Sequence, residues 1–269
     1  MAQKRESISF ILNGETNKTI TNNIIGEIQG ESDEYIIVGC HHDAPFGGAV
    51  EDASGMAVVM ALADNMVKQK VKPKKTIIFI ATAGHFYGSI GTRKFIEQFP
   101  KIVDKTVAAI HIEHIAMEAK ENSEGKLELT GLPEPGGLFV PYNKLAVKLA
   151  TDAIKRYGLM PTLFLPASGP LGEYPPTDGG DFFEAGAPVF NYISNPVYLL
   201  VDEDRIENIC YERLEPTANA FYDLIRKIDG VNRTDLLKKS YPLKRLIGKI
   251  AVWKTQKKVR KNFGPGVIL

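Results

Sequence analysis

Residues 35–64 read YIIVGCHHDAPFGGAVEDASGMAVVMALAD. The run Tyr35–Cys40 is apolar and rich in β-branched residues, which predicts a strand. A loop with Pro45, Gly47 and Gly48 follows. AlaSerGly at 53–55 then opens a stretch with apolar residues at helical spacing, and Asp52 or Ser54 is the expected N-cap. The strand ends on His41, His42 and Asp43, and the loop before the helix ends on Glu51 and Asp52.

The same alternation continues outward. Residues 22–30 (NNIIGEIQG) form another β-rich run, and the turn-prone GlyGluSerAspGlu between the two runs predicts a hairpin. Thr76–Ala81 (TIIFIA) is wholly apolar, as in a strand covered on both faces of a parallel sheet. The pattern predicts a helix over 88–99, a strand over 106–113, an amphipathic helix over 141–157, strands over 161–165 and 188–193, and a closing helix over 209–229. Residues 119–139 are polar and rich in Gly and Pro, which predicts a surface excursion. The breaker-rich loop 166–181 has the length of a binding loop. Strands alternating with helices give an α/β class with a mostly parallel sheet.

The 269 residues are 44% hydrophobic and 24% charged, a globular composition. Net charge is +1, unevenly spread. Residues 231–269 hold eleven of the 33 Lys/Arg and one of the 32 Asp/Glu, so the remainder carries 22 against 31, a net −9. An acidic body argues against nucleic acid as a partner. Two cysteines, Cys40 and Cys210, lack the spacing of a structural zinc site. Cys40 reads as a small buried filler. No segment approaches the ~18 continuous apolar residues of a membrane span. The opening MAQKRESISF lacks the apolar core of a signal peptide, so a cytoplasmic location is expected.

All five histidines fall at strand ends: His41 and His42, His85, His111 and His114. Asp43, Glu51, Asp52 and Glu113 lie in the same segments. Imidazoles and carboxylates gathered there suit a metal or a general base, and ligands of open α/β sheets sit outside the carboxyl ends of the strands. His111 shares a strand face with Glu113. His42 and His114 read as structural or loop residues close enough to substitute as ligands. Asp178 and Asp181 read as turn-shaping acids, with contact to a substrate amine as the alternative.

The string from NNIIGEIQG through HHDAPFGGAVEDASG to ATAGHFYGSIGTRKF resembles the co-catalytic zinc exopeptidases, the family of leucyl aminopeptidases, aminopeptidase Y, glutamate carboxypeptidase and glutaminyl cyclase. The resemblance covers roughly residues 20–230. It implies a three-layer α/β fold, with a mixed, mostly parallel sheet of about eight strands and helices on both faces. It places the motif His on His41, its orienting Asp on Asp43, the metal-bridging acid on Glu51 and the later acidic ligand on Glu113. The family's Glu-Glu pair of base and ligand falls on His85 and Phe86, and its last histidine on Leu199. One zinc site therefore keeps capable donors, His41, Glu51 and Glu113, while the other loses two. Glu in place of Asp at 51 and 113 adds a methylene at each, enough to move a metal by ~1 Å.

These implications give a metal-dependent hydrolase of the aminopeptidase type, with one zinc held by His41, Glu51 and Glu113, His85 as catalytic base and Asp43 orienting His41. Its partner would be a peptide or small amide. The alternative is an inactive homologue that binds peptide or protein, and acyl transfer ranks last. The catalytic domain is expected over 1–230, and 231–269 as a basic amphipathic extension. Over 240–261 a stripe of Leu243, Leu246, Ile247, Ile250 and Trp253 lies among Lys and Arg, suited to a subunit contact or a membrane surface.

Overall fold

The computed structural model describes residues 9–168 and 173–238. The basic helix expected over 240–261 lies outside the described residues. Nine strands are seen among the described residues: β1 (Ile24–Ile28), β2 (Ser32–His41), β3 (Lys75–Thr82), β4 (Thr106–Ile112), β5 (Met117–Glu121), β6 (Leu127–Pro133), β7 (Gly136–Val140), β8 (Thr162–Pro166) and β9 (Val189–Ser194). Seven form one sheet in the order β1-β3-β2-β4-β9-β7-β8, and β5 and β6 form a separate ribbon. The central strands β3, β2, β4 and β9 run parallel, while β1 and the β7–β8 pair run antiparallel to their neighbours β3 and β9.

The expected hairpin does not form. β3 lies between β1 and β2, pairing with the first antiparallel and the second parallel. Its side chains at 75–80 are all buried, as in a strand covered on both faces, and its two edges are paired by β1 and β2. The link between β1 and β2 instead crosses the start of β3. A Cβ on Gly30 would lie 2.3 Å from the Lys75 carbonyl carbon, so only glycine permits this crossing. The Glu31 and Ser32 amides donate to the Lys74 carbonyl at 2.9 and 2.8 Å. The excursion over 119–139 also carries more structure than its composition suggests, since it holds the ribbon and the start of β7.

Helices cover both faces. On one side α1 (Gly55–Lys68), α4 (Lys144–Arg156) and α6 (Tyr211–Ile228) set Val58, Leu62, Ala150, Phe221 and Leu224 against Ile36, Val38, Ile110 and Leu138. On the other, α2 (Ile90–Gln98), α3 (Pro100–Asp104) and α5 (Gly179–Glu184) set Phe95, Val103 and Phe182 against Ile37, Ile78, Ile80 and Ala109. Ile36 and Ile37 face opposite layers because strand side chains alternate. Each such buried side chain contributes about 1.5–3 kcal/mol. A last turn, α7 (Arg233–Leu237), buries Leu236, whose carbonyl accepts a hydrogen bond from Asn143. Cys40 and Cys210 are free and buried. Among the described residues, no helix is long and apolar enough to cross a membrane.

Candidate metal centre

The carboxyl ends of the parallel strands β2, β3 and β4 lie side by side. His41 is the last residue of β2, and Glu113 follows the last residue of β4. Both are fully buried. His41 Nδ1 lies 2.8 Å from the Asp43 carbonyl oxygen, which can only accept, so Nδ1 carries the proton. Nε2 faces inward, 2.9 Å from Glu51 Oε1. His114 repeats the arrangement. Its Nδ1 donates to the Ser194 carbonyl at 2.8 Å, and its Nε2 lies 2.6 Å from Glu51 Oε2. Both separations are those of ion pairs. Neither ring nitrogen makes an aligned hydrogen bond, however.

Glu51 is placed by its backbone. Asp204, itself buried, accepts from the Val50 and Glu51 amides at 2.8 and 2.9 Å. The Glu51–Asp52 peptide is cis. Asp52 and Ser54 do not cap α1 with their side chains. Asp52 instead accepts from the His114 amide at 3.3 Å, and Ser54 donates to the Val50 carbonyl and accepts from the Ile115 amide. The start of α1 is thereby pressed onto the end of β4. A Cβ on Gly55 would stand 2.4 Å from the Ile112 carbonyl oxygen and from Asp52 Oδ1, so the glycine of AlaSerGly is a packing requirement.

Charge is concentrated and poorly satisfied. Neither Glu113 oxygen has a hydrogen-bond partner, nor has either ring nitrogen of the buried His111. Burial alone would push the Glu51 carboxyl up, but His114 and His41 bring it down to about 2. Burial would likewise depress both imidazoles, yet Glu51, with Glu113 behind it, carries His41 and His114 above their ordinary value. Asp52, desolvated and beside Glu113 and Glu51, is pushed well up toward its neutral form. His111 Nδ1 stands 3.8 Å from Glu113 Oε1, too far for a hydrogen bond, and a buried carboxylate left without hydrogen bonds costs several kcal/mol. A divalent cation would satisfy Glu113 and the inward nitrogens together. Two donor groups of this kind occur among the described residues: His41, Glu113 and His114, and His41, Glu51 and His85.

His85 belongs to a second cluster, built in the turn between Gly84 and Gly88, both at positive φ. Its ring stacks on His41 with centroids 4.1 Å apart and planes 8° from parallel. His85 Nδ1 pairs with Asp178 Oδ1 at 2.8 Å. Asp178 is fully buried and also accepts from Thr82 and Thr92 Oγ1, the latter at 2.8 Å. Burial would raise the Asp178 carboxyl, but His85, His111 and Thr82 hold it well below the usual range. Burial lowers His85 and Asp178 more than offsets it, so this imidazole too lies above its ordinary value. Phe86 stands edge-on to both rings, at 4.9 Å from His85 and 5.8 Å from His41.

The model of peptidase family M28 matches residues 23–224. The chain belongs to peptidase family M28. It is 30% identical to mouse (Mus musculus) aminopeptidase NAALADL1 over 161 residues, 53% of this chain and 21% of that protein. It is 36% identical to the probable glutamate carboxypeptidase LAMP1 of Arabidopsis thaliana over 113 residues, 40% of this chain and 16% of that protein. The fold is that of BSAP, a zinc aminopeptidase from Bacillus subtilis, with a TM-score of 0.61 at 20% identity, over 76% of this chain and 49% of that one. The match thus spans about a fifth or less of each of these two relatives and half of the solved structure.

Within this M28 frame the structure divides the expected donors. His41 is common to both groups, Glu51 falls with His85, and Glu113 with His114. Asp43 does not hold His41 through its carboxylate, which is 3.9 Å from Nδ1. The strand ends at His41, so its alternation no longer governs residue 43, and the Asp43 carboxylate accepts from the His85 amide at 3.1 Å. His42 turns away, its Nε2 bonding the Asn22 carbonyl. Leu199 packs against the cluster of Val50, Ala116 and Tyr198. The sequence offers His114 only as a substitute ligand and Asp178 only as a turn-shaping acid or substrate contact, and it does not single out Asp204. His114 follows a strand on the wrong parity and enters only because its φ is +57°. Asp178 and Asp204 arrive from loops far along the chain.

Proposed function

We propose that this M28 chain is a metal-dependent hydrolase of the aminopeptidase type, acting on a peptide or amide bond with one zinc ion rather than two. The observation that carries the reading is Glu113, a fully buried carboxylate with neither oxygen satisfied, beside inward ring nitrogens that also lack aligned partners. A single ion is supported by His41. Both donor groups need it, and Asp43 engages its Nδ1, leaving one nitrogen to share. Phe86 and Leu199 offer no donor atoms for a second ion.

Zinc bound there would supply Lewis acidity toward a substrate carbonyl. The chain's own residues supply the rest. Asp178 holds His85 by Nδ1, which leaves Nε2 as the atom that takes a proton from the attacking water and returns it to the leaving amine. The Asp43 carboxylate fixes the His85 backbone while its carbonyl fixes His41. Phe86, itself exposed, packs perpendicular to both rings.

Metal analysis of the purified chain, combined with turnover on a panel of aminoacyl and peptide substrates, tests the reading. About one equivalent of zinc with turnover is the expected result. Zinc without turnover favours a peptide-binding homologue. Two equivalents, or none, overturns the single-ion assignment.

A further inference from the structure

The mechanism proposed above makes no use of His114, which is nonetheless built into this centre. The residue sits in the left-handed region at φ +57°, a conformation that a non-glycine side chain keeps only when its surroundings hold it there. Here they do so at three points. The His114 amide donates to Asp52 Oδ1 at 3.3 Å, its carbonyl accepts from Ser194 Oγ at 2.6 Å, and its Nδ1 donates to the Ser194 carbonyl at 2.8 Å. The ring is 3% exposed, and its Nε2 lies 2.6 Å from Glu51 without an aligned hydrogen bond. All of this fixes one tautomer and aims one lone pair. Metal-bound imidazoles are commonly prepared in this way, with the far nitrogen donating to a backbone carbonyl.

His41 is prepared identically, through the Asp43 carbonyl. With both Nδ1 atoms protonated, both Nε2 atoms turn lone pairs toward the same carboxylate, at 2.9 and 2.6 Å. Two lone pairs facing a carboxylate repel it unless protons or a cation lie between. The unsatisfied Glu113 oxygens close the same space.

We infer that His114 is a metal ligand in this chain, so that one divalent ion is held by two imidazoles, His41 and His114, and the Glu113 carboxylate, with Glu51 against both rings. The inference rests on the metallopeptidase reading and refines it. Glu51 no longer bridges two ions but braces the ligands of one. The donor added at His114 compensates for those missing at Phe86 and Leu199. The preferred ion is one that accepts two nitrogens and an oxygen in a four-coordinate shell, such as zinc or cobalt(II).

Zinc titration of the full metal-stripped chain by calorimetry, with stoichiometry checked by elemental analysis, reads this without any substrate. His114→Ala is expected to weaken zinc binding by more than ~100-fold, beyond the 10–100-fold lost when a residue that only hydrogen-bonds a ligand is removed. His42→Ala and His85→Ala are expected to stay within about threefold of the parent. Should His85→Ala, and not His114→Ala, abolish binding, the ion sits in the other donor group and the inference is overturned. No zinc binding by the parent chain overturns the metallopeptidase reading with it, whereas tight binding that survives His114→Ala overturns the His114 assignment alone. A measurement on the unmutated chain guards against misfolding of the variant. In the cobalt(II)-loaded protein, proton NMR should show two strongly shifted, solvent-exchangeable ring N–H signals, from His41 and His114. A single such signal rejects His114 as a ligand.

Discussion

Of the carboxylates buried within this one centre, Asp178 and Glu113 are treated in opposite ways. Asp178 accepts from Thr82, Thr92 and His85, so its charge is met within the protein. Glu113, equally buried, has no hydrogen bond to either oxygen. The first is finished by the fold. The second has His111 Nδ1 at 3.8 Å and no hydrogen bond. A fully satisfied buried group rigidifies its surroundings, whereas an unsatisfied one is a cost that the native state keeps for a reason. On this contrast rest the roles proposed above, Asp178 positioning the base and Glu113 receiving the ion.

Substitution separates the two most sharply. Glu113→Gln should abolish measurable zinc binding while stabilising the metal-free protein by about 1–3 kcal/mol, since a desolvated charge is removed. Thermal unfolding in chelator, beside a zinc titration, checks both signs. Loss of stability would mean that Glu113 already has an internal partner and that the contrast is false. Asp178→Ala should do the reverse, costing about 3–5 kcal/mol in urea unfolding because His85 and two hydroxyls lose their acceptor. Zinc affinity should change little.

His85→Ala addresses the chemistry between the two clusters. On any substrate that is turned over, kcat should fall about 10²–10⁴-fold with zinc content unchanged. Retained turnover would leave Asp178 with a structural role only. Gly55→Ala presses on the joint itself, where a methyl would meet the Ile112 carbonyl and Asp52. The cost should be about 1–3 kcal/mol by chemical denaturation, and an unchanged midpoint would show that the joint yields.

The smallest effect is on pH dependence. The Asp178 carboxyl is depressed on folding, so its contribution is present above the ordinary carboxylate range near ~3.9 and fades as pH falls below it toward the native value. Asp178→Asn should therefore flatten the acid limb of the stability curve below about pH 4. An acid limb identical to the parent's would place the sensitivity in other carboxylates.

Much of the layout was legible before any coordinates. Tyr35–Cys40, Thr76–Ala81 and 106–113 are apolar runs with few alternatives to a buried strand, and each forms one. The helices over 88–99, 141–157 and 209–229 appear as α2, α4 and α6, close to the expected bounds. The hairpin failed because composition marks a turn but not what the turn crosses. Gly30 serves a crossover past β3, and a glycine before an acidic stretch reads the same in either role. The candidate donors His41, at the end of β2, and Glu113, just past β4, are read directly from the sequence, and the structure buries both. Where a backbone dihedral or a distant loop decides, the sequence offers His114 and Asp178 only as alternatives and Asp204 not at all.

The amino-acid sequence thus determined the α/β class and the strand ends where the chemistry gathers. Those are properties of periodicity and residue type, which act locally and survive without coordinates. Tertiary structure alone decided which donors share a space, which ring nitrogen carries the proton, and which buried carboxylate is satisfied. Hydrogen bonds and ion pairs reach about 3 Å, and that distance is set by where strands and loops far apart in the chain finally meet.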